Sequence, residues 1–307
     1  MIFGVAAYVL WGLFPLYWPL LKPANAVEIL AHRIMWSLVA VAVILAAGRN
    51  WAWIRTLDRR KAGLLALASV LISANWGTYI FAVNTGKTIE ASLGYFINPL
   101  ISILFGVVIF RERLRPWQWV AVGLGTAAVA VLTVDYGRLP YIALILACSF
   151  GVYGLLKKFA SMPSAETLAV ETAVMFVPAL AVSIVMQANG TAAFGHHGAG
   201  NMALLAAAGV VTAVPLLLFN ASAVRVPMST LGLLQYLAPV LQFLIGLLVQ
   251  HEAMPASRWA GFFLVWTALI VLTADGLVTG RRTRRLARRA PASATPAESD
   301  TVAEPAA

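Results

Sequence analysis

The chain has 307 residues, 61% of them apolar and 11% charged, with a mean hydropathy of +0.84. A soluble domain is about 45–50% apolar and ~25% charged, so this composition excludes a water-soluble enzyme, whose surface would expose large apolar patches. The net charge is +10, but the positive residues stand between apolar runs and in the C-terminal tail, a pattern of membrane topology rather than of a nucleic-acid surface.

Ten apolar runs follow one another, each near the roughly 20 residues that one bilayer crossing needs. The first, Ile2–Leu21, begins almost at Met1 and lacks a small-residue cleavage site, so it reads as a retained helix rather than a signal peptide. Val27–Ala47 carries His32 and Arg33, Ala62–Val83 carries Asn75, Trp76 and Tyr79, and Ile89–Phe110 carries Asn98 and Pro99. Trp117–Val134 is followed by Pro140–Leu156, which holds the single cysteine, Cys148, expected to be a buried, inert thiol. Ala165–Met186 contains Glu171, Met202–Ala223 contains Asn220, Met228–Gln250 contains Gln235, Tyr236, Pro239 and Gln242, and Ser257–Leu277 closes the series. In a bilayer the backbone satisfies its own hydrogen bonds, so each run is predicted to be a helix; the alternation of a membrane β-barrel is absent. The connections are short, the longest being Gln187–Asn201. After Gly280 comes the basic run RRTRRLARR and then a Pro/Ala/Ser/acidic stretch, which cannot bury a core and is expected to be disordered.

Lysine and arginine set the orientation. With ten spans and a cytoplasmic N-terminus, 17 of the 22 positive residues fall on the cytoplasmic side, and only Lys22, Lys87, Arg138 and Arg258 on the other; Arg33 lies within a span. That split predicts cytoplasmic termini and an even number of spans.

The halves of the chain resemble each other. Ser92–Gly94, Pro99, Gly106, Glu112 and Trp119 recur as Thr230–Gly232, Pro239, Gly246, Glu252 and Trp259, with an offset of 140 from Pro99 onward. Upstream the offset is 138 and pairs Glu28 with Glu166, and Arg33 with Glu171. Five spans per half, an odd number, forces the halves to insert upside down relative to each other. The predicted fold is therefore an all-α polytopic membrane protein of ten transmembrane helices. Two inverted five-helix repeats, 1–137 and 138–279, precede a cytoplasmic tail, 280–307. Inverted repeats around a midplane site are a transporter architecture.

With these residues in view, the sequence resembles EamA-type members of the drug/metabolite transporter superfamily, and more closely the RarD family, named for chloramphenicol sensitivity. The segments that carry the resemblance are EILAHRIMWS (Glu28–Ser37), AVET (Ala169–Thr172), NWGTYIFAVN (Asn75–Asn84), EASLGYFINPLIS (Glu90–Ser102) and LFNASAVRVPMSTLGLLQYLAP (Leu218–Pro239). The resemblance implies ten helices, a bacterial inner-membrane location and a central cavity between the halves. It also suggests drugs and amino-acid-like metabolites as solutes.

Charges within spans are costly and usually face a cavity or a partner. Arg33 and Glu171, opposite in sign at equivalent repeat positions, are expected to act as one electrostatic unit, with His32 on the face of Glu28 at one cavity mouth. The alternatives are a purely structural pair, or an arginine reaching the headgroups. Asn75, Trp76, Tyr79 and Tyr236 suit the wall of a cavity for an aromatic or amphipathic solute, although buried amides also glue membrane helices together. Pro99 and Pro239 are candidate hinges, or inherited packing kinks. Gly94, Gly106, Gly232 and Gly246 suit close helix approach, and Glu112 and Glu252 suit capping. The adjacent His196 and His197 lack the further ligands of a metal site. No phosphate loop, nucleophile elbow or paired acid/base motif occurs, so neither a cofactor nor enzymatic activity is expected.

The leading expectation is a secondary transporter or facilitator of small organic solutes, acting by alternating access, with membrane lipid as its other partner. A raised pKa at a membrane-buried Glu171 would suit proton coupling; uncoupled diffusion fits equally, and oligomeric state is open. A structural or assembly factor has no need of a two-fold repeat around polar residues, and a lipid-modifying enzyme would need a nucleophile beside Glu28, His32 and Arg33.

Overall fold

A computed structural model describes residues 1–49, 51–111, 113–160, 162–223 and 234–289. Among them lie ten α-helices: α1 Ile2–Tyr17, α2 Ala26–Ala47, α3 Arg59–Asn84, α4 Thr88–Phe110, α5 Pro116–Tyr136, α6 Tyr141–Ala160, α7 Ser164–Ala188, α8 Gly198–Ala223, α9 Leu237–Leu248 and α10 Ala256–Arg289. Eight spans are long and apolar enough to cross a membrane, and α6 and α9 are shorter apolar helices. Local chemistry sets the boundaries. Asn25 accepts the N–H groups of Val27 and Glu28 at 3.0 Å and starts α2; Asp58 accepts Lys61 N–H at 2.7 Å and starts α3. Pro116 opens α5, where its missing N–H costs nothing, and Gly137, at φ +64°, closes it in the left-handed conformation that glycine adopts freely.

The packing is two-fold in pattern. α3 lies on α6 as α8 lies on α1, α2 touches α8 as α7 touches α3, and α4 packs on α6 as α9 packs on α1. The pairs α2–α7, α4–α9 and α5–α10 each join a helix to its own counterpart. The chain is an all-α polytopic membrane protein of two inverted five-helix repeats.

Several details depart from expectation. The apolar run before Leu21 ends in a 3-10 turn, Trp18–Leu21, rather than in continuous α-helix. The last helix runs past the expected end at Leu277, through the basic run, as far as Arg289; 290–307, where the disordered stretch is expected, lie outside the described residues. Cys148 is exposed on the flank of α6, not buried. Pro239 falls in the first turn of α9, behind a turn at Gln235 and Tyr236, so it kinks no helix interior. Pro99 does stand inside α4, as do Pro15 in α1, Pro178 in α7 and Pro215 in α8. Glu112, Arg225 and Thr230–Gly232, with the start of the ninth apolar run, lie outside the described residues, as does the side chain of Asn220.

Candidate functional site

The two halves enclose a cavity of about 1050 Å³. Its wall draws on Tyr8, Trp11 and Phe14 of α1, Arg33 of α2, Asn75, Trp76 and Tyr79 of α3, and Tyr95, Asn98 and Pro99 of α4. It also draws on Tyr153 and Lys157 of α6, Glu171 of α7, Thr212 of α8, Pro239 and Gln242 of α9, and Thr273 and Gly276 of α10, with Tyr236 just ahead of α9. The wall reaches Arg115 and Leu277 at the end of the bundle that carries the N-terminus. Toward the opposite end it stops at Phe14 and Tyr79, beyond which Trp18, Leu21, Ile80 and Val83 form a buried apolar plug.

Three glutamates staple that closed face. Glu28 accepts the N–H groups of Ala193 and Phe194 at 2.8 and 2.9 Å, holding the α7–α8 loop onto the start of α2. Glu90 accepts Ile142 N–H at 3.2 Å and both terminal nitrogens of Arg138, at 3.3 and 2.8 Å. That contact holds the Arg138 guanidinium above its usual pKa. Glu252 accepts Thr88 N–H at 2.5 Å and Ile89 N–H at 3.0 Å, satisfying donors that the first turn of α4 leaves free. Each carboxylate therefore ties two segments together through otherwise unsatisfied groups.

Arg33 sits where the cavity meets the plug and is 3% exposed. Its Nε–H donates to Thr212 Oγ1 at 2.9 Å. Its guanidinium lies 3.9 Å from the ring centre of Trp76, 5.1 Å from that of Trp18 and 5.7 Å from that of Phe14. A guanidinium sheds hydration more easily than an ammonium and stacks on aromatic faces, which is why arginine tolerates this place. Nearby, Tyr95 donates to Asn75 Oδ1 at 3.3 Å, while Asn75 Nδ2–H donates to Leu146 O at 2.9 Å and Ser149 Oγ at 3.0 Å, joining α3 to α4 and α6.

Glu171 occupies the half nearer the open end. Tyr153 O–H donates to its Oε2 at 3.2 Å, Lys157 Nζ donates to the Tyr153 oxygen at 2.9 Å, and Lys157 stands 3.9 Å from Oε1. Beyond this relay, Arg115 pairs with Asp275 at 2.6 Å.

Arg33, Glu171, Asn75, Trp76, Tyr79, Tyr236, Pro99 and Pro239 thus share one cavity wall. His32 does not: its ring stacks on Phe194 at 4.4 Å, on the loop that Glu28 anchors. The expected pairing of Arg33 with Glu171 is not formed among the described residues. The pseudo-two-fold places them in opposite halves, and each finds partners on its own side: aromatics and Thr212 for the arginine, Tyr153 and Lys157 for the glutamate. Sequence reading missed Thr212, Tyr95, Lys157 and the ion pairs of Asp135 and Asp275. Lys157 lies one residue past the predicted run Pro140–Leu156, but α6 continues through it, and the aspartates stand at the 140 offset that the repeat already supplies. His196 and His197 are exposed on the loop, and no metal-binding cluster occurs among the described residues.

The comparisons agree with this architecture. Residues 1–134 match the EamA-like transporter family. The chain is 58% identical over 301 residues to Protein RarD of Streptomyces exfoliatus, covering 97% of this chain and 96% of the relative. It is 45% identical to the uncharacterized transporter YojE of Bacillus subtilis, covering 89% and 93%. A solved crystal structure 20% identical in sequence superposes with a TM-score of 0.58, covering 92% of this chain and 97% of the other, a likeness of fold. With identity of this extent to a RarD protein, and an inverted ten-helix bundle around a central cavity, the chain belongs to the RarD family of EamA-type membrane transporters.

Proposed function

We propose that the protein is a secondary carrier or facilitator of small organic solutes in the bacterial inner membrane, working in the efflux direction by alternating access. The observation that carries this reading is the cavity of about 1050 Å³ between the halves, reaching one face of the bundle and sealed from the other by the plug around Trp18 and Tyr79. Its size accommodates a drug-sized molecule, for which pockets run about 300–1,000 Å³. Aromatic rings and amides on its wall suit an aromatic or amphipathic solute. With 17 of 22 positive residues on the N-terminal side, the open mouth faces the cytoplasm and both termini are cytoplasmic. The repeats, divided near 137, rock against each other, with α4, bent at its internal Pro99, as the deforming element.

Flux into and out of proteoliposomes holding the purified chain, screened over amino acids and phenicol drugs with and without a pH gradient, tests the reading. Saturable flux of at least one solute is expected. Flux no greater than in empty vesicles across the whole panel would overturn it. The gradient arm assigns the coupling: stimulation lost in Glu171→Gln marks Glu171 as the proton carrier, and indifference marks uncoupled diffusion.

A further inference from the structure

We propose that the closed end of the cavity is an oxyanion pocket, and that the carried solute bears a carboxylate on an aromatic or otherwise apolar body. This deepens the carrier reading above and rests on it. Among the described residues the cavity is lined by three cationic side chains, Arg33, Arg115 and Lys157. Arg115 has Asp275 and Lys157 has Glu171. Arg33 has no carboxylate within 4.0 Å among the described residues, although it is 3% exposed. Among the described residues its one hydrogen bond goes to Thr212 Oγ1, a neutral acceptor whose own O–H is turned to Ala208 O at 2.8 Å.

A buried cation without a counter-charge is expensive within a membrane and usually marks a ligand path. The rings around Arg33 offset part of that cost, and among the described residues its hydrogen bond is made from Nε, which leaves the terminal Nη groups for a further partner. A carboxylate fits those groups with two parallel hydrogen bonds and supplies the missing charge. The Tyr79 hydroxyl is a second donor of the same pocket. It lines the cavity, lies in the electrostatic reach of Arg33, and is buried without a hydrogen-bond partner. Arg33 is one positive charge, which a carboxylate balances; a phosphate dianion would need a second cation, and the other two are engaged near the open end. The apolar body then lies along Trp76 and the neighbouring rings.

The test is thermal unfolding of the purified full chain with matched acid and amide pairs at equal millimolar concentration. The pairs are phenylacetate and phenylacetamide, hydrocinnamate and its amide, and indoleacetate and its amide; inorganic phosphate is a separate arm. At least one acid is expected to protect the chain while its amide and phosphate do not. In Arg33→Gln, which removes a buried charge rather than stranding one, the half-protecting concentration of that acid should rise about 10-fold or more. Tyr79→Phe keeps the packing and should weaken the acid about threefold without changing the amide. It serves as the readout if the arginine variant fails to fold.

Equal protection by acid and amide, protection by none of the acids, stronger protection by phosphate, or an acid preference that survives Arg33→Gln would each overturn the pocket. Saturable flux of neutral phenicols with no acid preference would overturn the pocket and leave the carrier standing. Arg33-dependent acid protection with no flux of any solute would overturn the carrier and leave the pocket.

Discussion

Asp135 and Asp275 stand 140 residues apart, and each binds the arginine that opens the other's helix. Arg258, at the start of α10, donates from Nε to Asp135 Oδ2 at 2.9 Å, and Ser257 donates its hydroxyl to the same carboxylate. Arg115, at the start of α5, reaches Asp275 in the second half of α10 at 2.6 Å. The antiparallel pair α5–α10 is therefore clipped at both ends by equivalent contacts, one on the sealed face and one at the cavity mouth. The Asp135 side chain is 4% exposed, so removing Arg258 strands a buried carboxylate. Arg258→Ala should lower stability by on the order of 2 kcal/mol, and adding Asp135→Asn should restore part of it, because deleting both partners costs less than deleting one. Thermal unfolding of the single and double variants in detergent checks this. A double variant no more stable than Arg258→Ala would show that the pair does not hold the helices.

Glu252 offers a second measurement. It binds the N–H groups of Thr88 and Ile89 from across the repeat boundary, so it acts on α4 as an N-cap supplied by another element. Its negative charge also favours the helix N-terminus. Glu252→Ala should cost about 1 kcal/mol, in the range of a lost cap, and Glu252→Gln, which keeps one acceptor, about half of that. Faster amide hydrogen exchange confined to the first turn of α4 is the expected signature. Unchanged exchange there would contradict the capping role.

Close approach of α8 to α2 yields a third prediction. A methyl group at Gly209 would meet the backbone of Trp36 and Ser37, which cannot swing aside as a side chain does. Gly209→Ala should sharply lower the folded yield. Gly200→Ala, on the same helix with open space around it, should leave yield unchanged or raise it slightly, since alanine is better than glycine in helices by ~1 kcal/mol. Monodispersity on gel filtration separates the two, and equal behaviour would mean that the helices can move apart freely.

Much of this was legible from the sequence, for identifiable reasons. Lipid enforces helices of bilayer length, so the ten apolar runs mark the ten helices, most of them within a few residues, although the last helix runs past Leu277 to Arg289 and the start of the ninth run lies outside the described residues. The repeat also survived in residues whose work is geometric: Gly94 and Gly246 each leave no room for a methyl group against the neighbouring helix. What escaped depended on rotation about helix axes. His32 and Arg33 are adjacent, yet one turns to Phe194 and the other to Trp76. A helix with apolar residues all round gives little periodicity from which to orient its polar positions. Equivalent positions in inverted repeats also point to opposite halves of the molecule. The offset that joined Arg33 to Glu171 therefore predicted related places and not contact.

The membrane orientation is open to direct measurement. Reporter fusions after Arg115 and after Arg289 should read cytoplasmic, and fusions within Thr191–Gly200 should read external, because the positive residues concentrate on the first side. Arg289 is the fusion point because α10 continues to that residue. An external signal after Arg289 would break the even count of spans.

The separation of Arg33 from Glu171 makes the last prediction sharp. They share no hydrogen-bond partner: Arg33 uses Thr212 and three aromatic rings, and Glu171 uses Tyr153 and Lys157. Substitutions without shared partners add within about 0.5 kcal/mol, whereas a buried ion pair is much less costly to lose whole than by halves. Arg33→Gln and Glu171→Gln should therefore change unfolding temperature by amounts that sum in the double variant. The two should also affect flux differently. Arg33→Gln should weaken solute binding at the sealed end, raising KM, while Glu171→Gln should leave Lys157 without its carboxylate near the mouth and act on the pH response. Mutual rescue, with the double variant better than either single, would mean that the two residues pair in the alternate, outward-open state. Trapping that state and measuring the coupling again would then locate the contact.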